Sequence, residues 1–253
     1  MAASTLSRIV NHCERLLNPD AFVDSARAFN GLQVENSGRV TRIAAAVDAT
    51  PSTVELAAAA GANLLIVHHG LFWNARHPWT GHQYRLLRVL LDNDLAVYSS
   101  HLPLDAHPVL GNNAGLAKAL RLSRAHPFFK HHEHQIGVQV TAQLDRRELY
   151  DRLERVLGRA PILAEGGPKV CRRIGIVTGA AGDQLDQAAG EGVDTFITGE
   201  GPHWSYARAE ELGINVFYGG HYATETFGVK ALSDHLSKKF RIPSIFIEYP
   251  TGL

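Results

Sequence analysis

Fourteen of the 253 residues are histidine, and several of them stand where an apolar run gives out. His68-His69-Gly70 follows Leu64–Val67, His101 and Asp105 follow Leu95–Tyr98, and His221 and Glu225 follow Ile214–Tyr218. Imidazoles and carboxylates together are a ligand set for Zn²⁺, Fe²⁺, Mn²⁺ or a similar divalent ion. Adjacent side chains on a regular strand point to opposite faces, so His68 and His69 cannot share one mononuclear site in extended geometry. A strand that yields to a loop there would let the two rings diverge, which suits two metals about 3.5–4 Å apart. His221 and Glu225 are spaced i, i+4 and share a face if they open a helix. The two oxygens of Glu225 let it bridge two cations, and Asp105 would supply another oxygen. A lone histidine at a strand end is usually a turn or core residue, and a lone His-x-x-x-Glu is a common helix pair. Five such residues at corresponding places in a repeat are harder to assign to packing.

The elements that must position these residues follow from hydrophobic periodicity. Strands are expected at Ile43–Val47, Leu64–Val67, Leu95–Tyr98, Ile136–Val140, Ile174–Val177, Thr195–Thr198, Ile214–Tyr218 and Ile245–Ile247. Most are continuously apolar, as buried parallel strands are. Helices are expected at Leu6–Leu17, from Pro51 to near Gly61, and at Tyr84–Leu91, Asn112–Leu120, Glu148–Leu157, Leu185–Ala189, Ser205–Leu212 and Thr224–Leu236. This βαβ alternation places the chain in the α/β class.

Part of the pattern occurs twice. Arg42-Ile43 recurs as Arg173-Ile174, and at the same offset Gly61-Ala62-Asn63 falls on Gly192-Val193-Asp194. The strand ending in Val67-His68-His69 then falls on the strand ending in Thr198-Gly199-Glu200. Slightly out of that offset, Tyr98-x-x-His101-x-x-x-Asp105 matches Tyr218-x-x-His221-x-x-x-Glu225. The reading is two similar α/β lobes from an internal duplication, residues 1–125 and 126–253, with a metal site between them at the carboxyl ends of the strands, where open α/β sheets bind ligands. Which lobe receives the final strand and tail is left open; a return to the first lobe is allowed.

Composition narrows the partners. Twenty-five Lys and Arg balance 25 Asp and Glu, for a net charge of zero, and 45% of residues are hydrophobic. Zero net charge argues against broad electrostatic binding of nucleic acid. No apolar run approaches the roughly 20 residues of a membrane span. Met1–Val10 lacks an apolar signal-peptide core. Two cysteines, Cys13 and Cys171, make no disulfide framework, so a cytoplasmic chain is expected.

Several stretches resemble one family closely: Asn30-Gly-Leu-Gln-Val-Glu35, Leu65-Ile-Val-His-His-Gly70, His101-Leu-Pro-Leu-Asp-Ala-His107, Gly111-Asn-Asn113, Thr198-Gly-Glu200 and Gly220-His-Tyr-Ala-Thr-Glu225. It is the dinuclear-metal-centre hexamer family, also called GTP cyclohydrolase 1 type 2 homologues or NGG-one-interacting-factor-three-like proteins. The resemblance spans nearly the whole chain, in order, in the short form without an extra central domain. It implies two divalent ions held by His68, His69, Asp105, His221 and Glu225, with Glu225 bridging, and a homo-hexameric ring with the sites facing an inner cavity. The implied activity is a metal-dependent hydrolase using an activated water, on a nucleotide if the GTP cyclohydrolase label holds. The alternative is a non-enzymatic metal carrier or regulatory scaffold.

Other residues are less specific. His101, the repeat partner of His221, lies outside the implied ligand set; it reads as a proton carrier, a group orienting a ligand, or a structural residue. Glu200, the repeat partner of His69, is a candidate general base. Thr178-Gly-Ala-Ala-Gly182 could cradle an anion but reads better as a tight βα turn. Asn30-Gly31 is a turn signal. Trp73 and Trp79 could line a pocket or cap the core. His203 matches no family motif, and Lys130-His-His-Glu-His134 reads as a solvated loop.

Overall fold

A computed structural model describes residues 3–73 and 78–252. Two compact units make up the chain. One comprises Met1–Leu104 with Gly228–Tyr249, the other Asp105–Phe227 with Pro250–Leu253.

The first unit is built on a five-stranded sheet in the order Ser244–Phe246, Ile43–Asp48, Leu64–His69, Ala96–Ser99, Gly31–Val34. The first four strands are parallel, and Gly31–Val34 runs antiparallel at the edge. Ile43–Val47 and Leu64–Val67 are buried along their whole length, as strands covered on both faces must be. Local chemistry sets the helices between them. Thr50 and Thr53 form a reciprocal capping box, with Pro51 at the first turn, and open Pro51–Ala59. Thr5 caps Leu6–Leu17, whose buried face is Leu6, Ile9, Cys13 and Leu17. Val54, Ala57, Leu86 and Leu90 pack on Leu65, Val67 and Val97 in one core cluster.

The second unit has a six-stranded sheet, ordered His126–His131, His134–Asp145, Val170–Ile176, Thr195–Thr198, Asn215–Tyr218, Ile162–Glu165. Its three central strands are parallel. They repeat the arrangement of the first unit, each set flanked by an antiparallel edge strand next to its third member. The Arg146–Leu157 helix, capped by Asp145 and ended by left-handed Gly158, buries Leu149 and Leu153. Those residues join Leu116, Val140, Ile174 and Phe217 in the second core.

Some boundaries differ from those read in the sequence. The Asn112–Ala119 helix, assigned to residues 1–125 by chain order, packs in the second unit, because Leu116 and Leu120 belong to its core. The final strand, Ser244–Phe246, pairs parallel to Ile43–Asp48, which resolves its destination. The His-rich run is a hairpin rather than a loop: His131 pairs with His134 across a turn in which His132 takes a left-handed φ of 51°. Among the described residues, no helix is long and apolar enough to cross a membrane.

Candidate metal centre

In the first unit the histidines stand at the carboxyl ends of two neighbouring strands, Leu64–His69 and Ala96–Ser99. Strand pairing continues through His69, opposite Asp48, so the strand does not yield to a loop at His68-His69. Each ring nevertheless turns toward the end of a different neighbouring strand. His68 Nδ1 lies 2.9 Å from the Ser100 carbonyl oxygen, beyond the Ala96–Ser99 strand. His69 Nδ1 lies 2.8 Å from Asp48 Oδ1, on the other side. The two ring centroids are thereby only 4.8 Å apart despite adjacency on an extended backbone. His101 joins them, its ring 4.9 Å from His68 and 5.6 Å from His69. Trp73 packs beside His69 and His101 at 4.9 and 4.8 Å, so it lines the cluster, whereas Trp79 is exposed.

A network that the sequence did not reveal fixes His101. Asp24, whose side chain is 6% exposed, accepts from His101 Nδ1 at 2.7 Å. It also accepts from Asn30 Nδ2 at 2.8 Å and from the Leu102 amide at 3.1 Å. Asn30 Oδ1 in turn accepts from the His101 amide at 2.7 Å. Burial pushes the Asp24 carboxyl up, but His101, Asn30 and the Ser25 amide outweigh it and hold the group below its ordinary pKa. The Asn30-Gly31 turn is therefore part of the site's frame. Asp48 carried a sequence signal, as a polar residue at the end of an apolar strand. Asp24 sits in a stretch without periodicity and carried none.

In the second unit, Asp105 and Glu225 both lie against the Thr178-Gly179 turn. Asp105 is buried and accepts from Asn112 Nδ2 at 2.8 Å and from Thr178 Oγ1 at 3.5 Å. Asn113 Oδ1 accepts from the Thr178 amide at 2.8 Å, while its Nδ2 donates to the Asp105 and Ile136 carbonyls. Gly179 has φ +75°, and a Cβ there would stand 2.2 Å from Glu225 Oε1. The turn's amides are engaged by protein acceptors: Gly179 by Thr224 Oγ1, Ala181 by Thr198 Oγ1 and Gly182 by the Glu200 carbonyl. It is a tight βα turn backing Glu225, and not an anion cradle.

His221 and Glu225 do not share one continuous helix. Glu225 sits at the joint between His221–Thr224 and Thr226–Phe240, yet its Oε2 is 3.1 Å from His221 Nε2. Glu200, the candidate base, accepts from His221 Nδ1 at 2.8 Å. Burial disfavours the charged ring, but Glu225 and Glu200 together raise the His221 pKa to about 9. His203 is exposed at the turn before Ser205–Leu212, and its carbonyl accepts from the Tyr206 amide.

The donor chemistry fits a metal. Carbonyl and carboxylate oxygens cannot donate, so each Nδ1 facing one must carry the proton. In the neutral ring the lone pair of His68, His69 and His101 is therefore on Nε2, whereas His221 also faces Glu225 through Nε2 and is held charged by its two carboxylates. Carboxylates behind Nδ1 of His69 and His221 are the arrangement that orients metal-bound imidazoles and raises their basicity. A ring nitrogen of each of His68, His69 and His101 lies within 4.8 Å of the others, close enough for one ion.

Residues 4–251 match the family model Duf34/NIF3 (NGG1p interacting factor 3). A Deinococcus radiodurans protein named GTP cyclohydrolase 1 type 2 homolog is 41% identical, covering 89% of this chain and 87% of its own. A Halobacterium salinarum protein of the same name is 42% identical, covering 89% and 91%. The crystal structure of TTHA1606 from Thermus thermophilus superposes with a TM-score of 0.91 at 35% identity, covering 99% of this chain and 100% of that one. On this agreement of sequence and fold along almost its entire length, the chain belongs to the Duf34/NIF3 family.

Proposed function

We propose that the protein binds two divalent metal ions through His68, His69, Asp105, His221 and Glu225, with Glu225 bridging, and uses them as a hydrolase acting on a nucleotide. The observation that carries this reading is the fixed tautomer of His68 and His69, each with Nδ1 on an oxygen acceptor and its lone pair on Nε2. A carboxylate behind Nδ1 of two histidines at strand ends is support of the kind that metal-bound imidazoles receive. Ions held there supply Lewis acidity, activating water at neutral pH and stabilising negative charge in the transition state. Glu200 then orients His221 instead of serving as the base, since its contact is with His221 Nδ1. Asn112 and Thr178 hold the Asp105 carboxylate in place. The nucleotide substrate class follows the relatives' name, GTP cyclohydrolase 1 type 2 homolog.

The test is elemental analysis of untagged protein purified without chelators, beside Glu225→Ala and Asp105→Ala. About two divalent ions per chain are expected, with both disturbed in Glu225→Ala and mainly one in Asp105→Ala. Equal loss in the two variants would remove the bridging role. No metal in the wild type, even after reconstitution, would remove the reading. Hydrolysis of GTP or another nucleotide by the two-metal form, absent after chelation, separates an enzyme from a metal carrier.

A further inference from the structure

We infer that the tip of the hairpin formed by His126–His131 and His134–Asp145 is a separate, solvent-facing metal site. There His131, His132 and His134 take one divalent ion of the kind that imidazole favours, copper, nickel or zinc. The site uses none of the five residues proposed for the dinuclear centre, and it stands whether or not that reading does. Four of the five residues in Lys130-His-His-Glu-His134 carry a side chain that can ligate a metal, and the proposed hydrolase gives them no task. In the fold they close a two-residue turn, so that His131 and His134 are partners across the ladder. Partners directly opposite share one face, with Cβ atoms about 4.5–5.5 Å apart. Two imidazoles span that gap onto an ion about 2.0–2.1 Å from each nitrogen. The His132 ring stands edge-on to that of His131, with centroids 4.7 Å apart. By strand alternation Lys130 belongs to the opposite face.

Two features set this hairpin apart from a solvated run of histidines. The first is its anchorage. Glu191 accepts from the amides of Phe129 and Lys130 at 2.8 and 2.9 Å, and Gln187 Nε2 donates to the Lys130 carbonyl at 2.7 Å. Gln187 also donates to Glu191 at 2.9 Å, which ties the two anchors together. Phe129 is buried, its ring stacked on Phe196 with centroids 5.9 Å apart. Folding has thus already met most of the entropy cost of holding His131 opposite His134. The second feature is the turn residue. His132 has a φ of 51°, a left-handed conformation that glycine or asparagine fills with less strain. A histidine there sets turn geometry against side chain, a conflict that recurs at ligand sites. His131 and His134 are half-buried, whereas His132 and Glu133 are exposed. The exposed His132 ring closes onto the ion by rotating about its side-chain bonds. Three imidazoles at an open turn leave coordination positions to water, so the ion exchanges with solvent instead of being enclosed.

The experiment uses Cu²⁺ alone as probe on the full-length, untagged chain, first stripped of metal. Bound copper is titrated against a competing chelator, and its nitrogen ligands are read by electron paramagnetic resonance. The proteins compared are the wild type, Glu225→Ala, the double variant His131→Gln/His134→Gln, and His132→Gly. The expected result is a nitrogen-coordinated copper ion that Glu225→Ala keeps. The double variant and His132→Gly should each lose it, or bind it at least about tenfold more weakly. Glycine suits the left-handed φ of residue 132, so His132→Gly should unfold no more easily than the wild type, and its loss of copper is then loss of a ligand and not of the hairpin. Wild-type copper affinity and spectrum in the double variant, or in His132→Gly, would overturn the inference and leave the dinuclear reading intact. A wild type that binds copper at the hairpin alone, with Glu225→Ala indistinguishable from it, would uphold the inference and sink the dinuclear reading. No copper in the wild type would end both.

Discussion

Replacing Gly179 by alanine separates the backbone's demand at this turn from the site's. Two effects are superposed. The left-handed φ of +75° costs an alanine about 1–2 kcal/mol wherever it occurs. The new methyl would also stand 2.2 Å from Glu225 Oε1, roughly 1 Å short of van der Waals contact. The carboxylate, not the backbone, is the movable partner, so Glu225 must swing away and its contact with His221 at 3.1 Å must change. Gly213→Ala is the control: φ is +69° in the same unit, with nothing within 4 Å of the added Cβ. Both variants should lose about 1–2 kcal/mol in denaturant unfolding of the metal-free protein. Only Gly179→Ala should also lose metal affinity, by at least about tenfold, or 1.4 kcal/mol, in calorimetric titration with Zn²⁺. Equal metal affinity in Gly179→Ala, Gly213→Ala and the wild type would refute the claim that this turn sets the position of Glu225.

Asp48→Asn should reduce metal affinity roughly 10–100-fold, measured by chelator competition, because it weakens the acceptor that orients His69. Cys13 is buried and its thiol pushed up to about 12, by burial first and then by Glu14; at pH 8 its thiolate fraction is on the order of 10⁻⁴. Modification by a thiol reagent should therefore track unfolding, and rapid labelling of the native chain would contradict the burial. His12 and His235 meet Nε2 to Nε2 at 2.8 Å, stacked beside Phe240 and near Arg15 and Lys239. Burial and the neighbouring cations lower both pKa values, so the folded state binds fewer protons than the unfolded state. Their contribution to stability is fully present above the unfolded value near 6.5 and is lost as pH falls through the lowered folded values. His12→Gln should flatten the acid side of the stability–pH curve, and an unchanged curve would show that the pair is not the source.

The parts of this molecule legible in the sequence are those that depend on one element at a time. Buried parallel strands such as Leu64–Val67 and the duplicated βαβ pattern follow from continuous apolar runs and the residues that end them. The helix start at Pro51 follows from local capping chemistry, whereas Asn112, read as a helix-opening asparagine, caps nothing and donates its side chain to Asp105. What escaped depends on two elements meeting. The Asn112–Ala119 helix belongs by packing to the unit after it, since the partners of Leu116 and Leu120 lie later in the chain. Asp24 reaches His101 across a separation that no periodicity records, and Asp48 reaches His69 only because their strands are adjacent and in register. The strand through His68-His69 stays extended and still brings both rings together, because each is drawn to the end of a different neighbour. That geometry belongs to a sheet and cannot be read from a single strand.

The pairing of Ser244–Phe246 with Ile43–Asp48 also dictates an order of events during synthesis. The ribosome delivers all but the last four residues of the second unit before it delivers the edge strand of the first. Until then the Ile43–Asp48 strand presents an open row of amides and carbonyls, the kind of edge that invites pairing with another chain. The unit begun first is finished last, and a nascent chain stalled after Phe227 would carry a completed second sheet beside an exposed, adhesive first one.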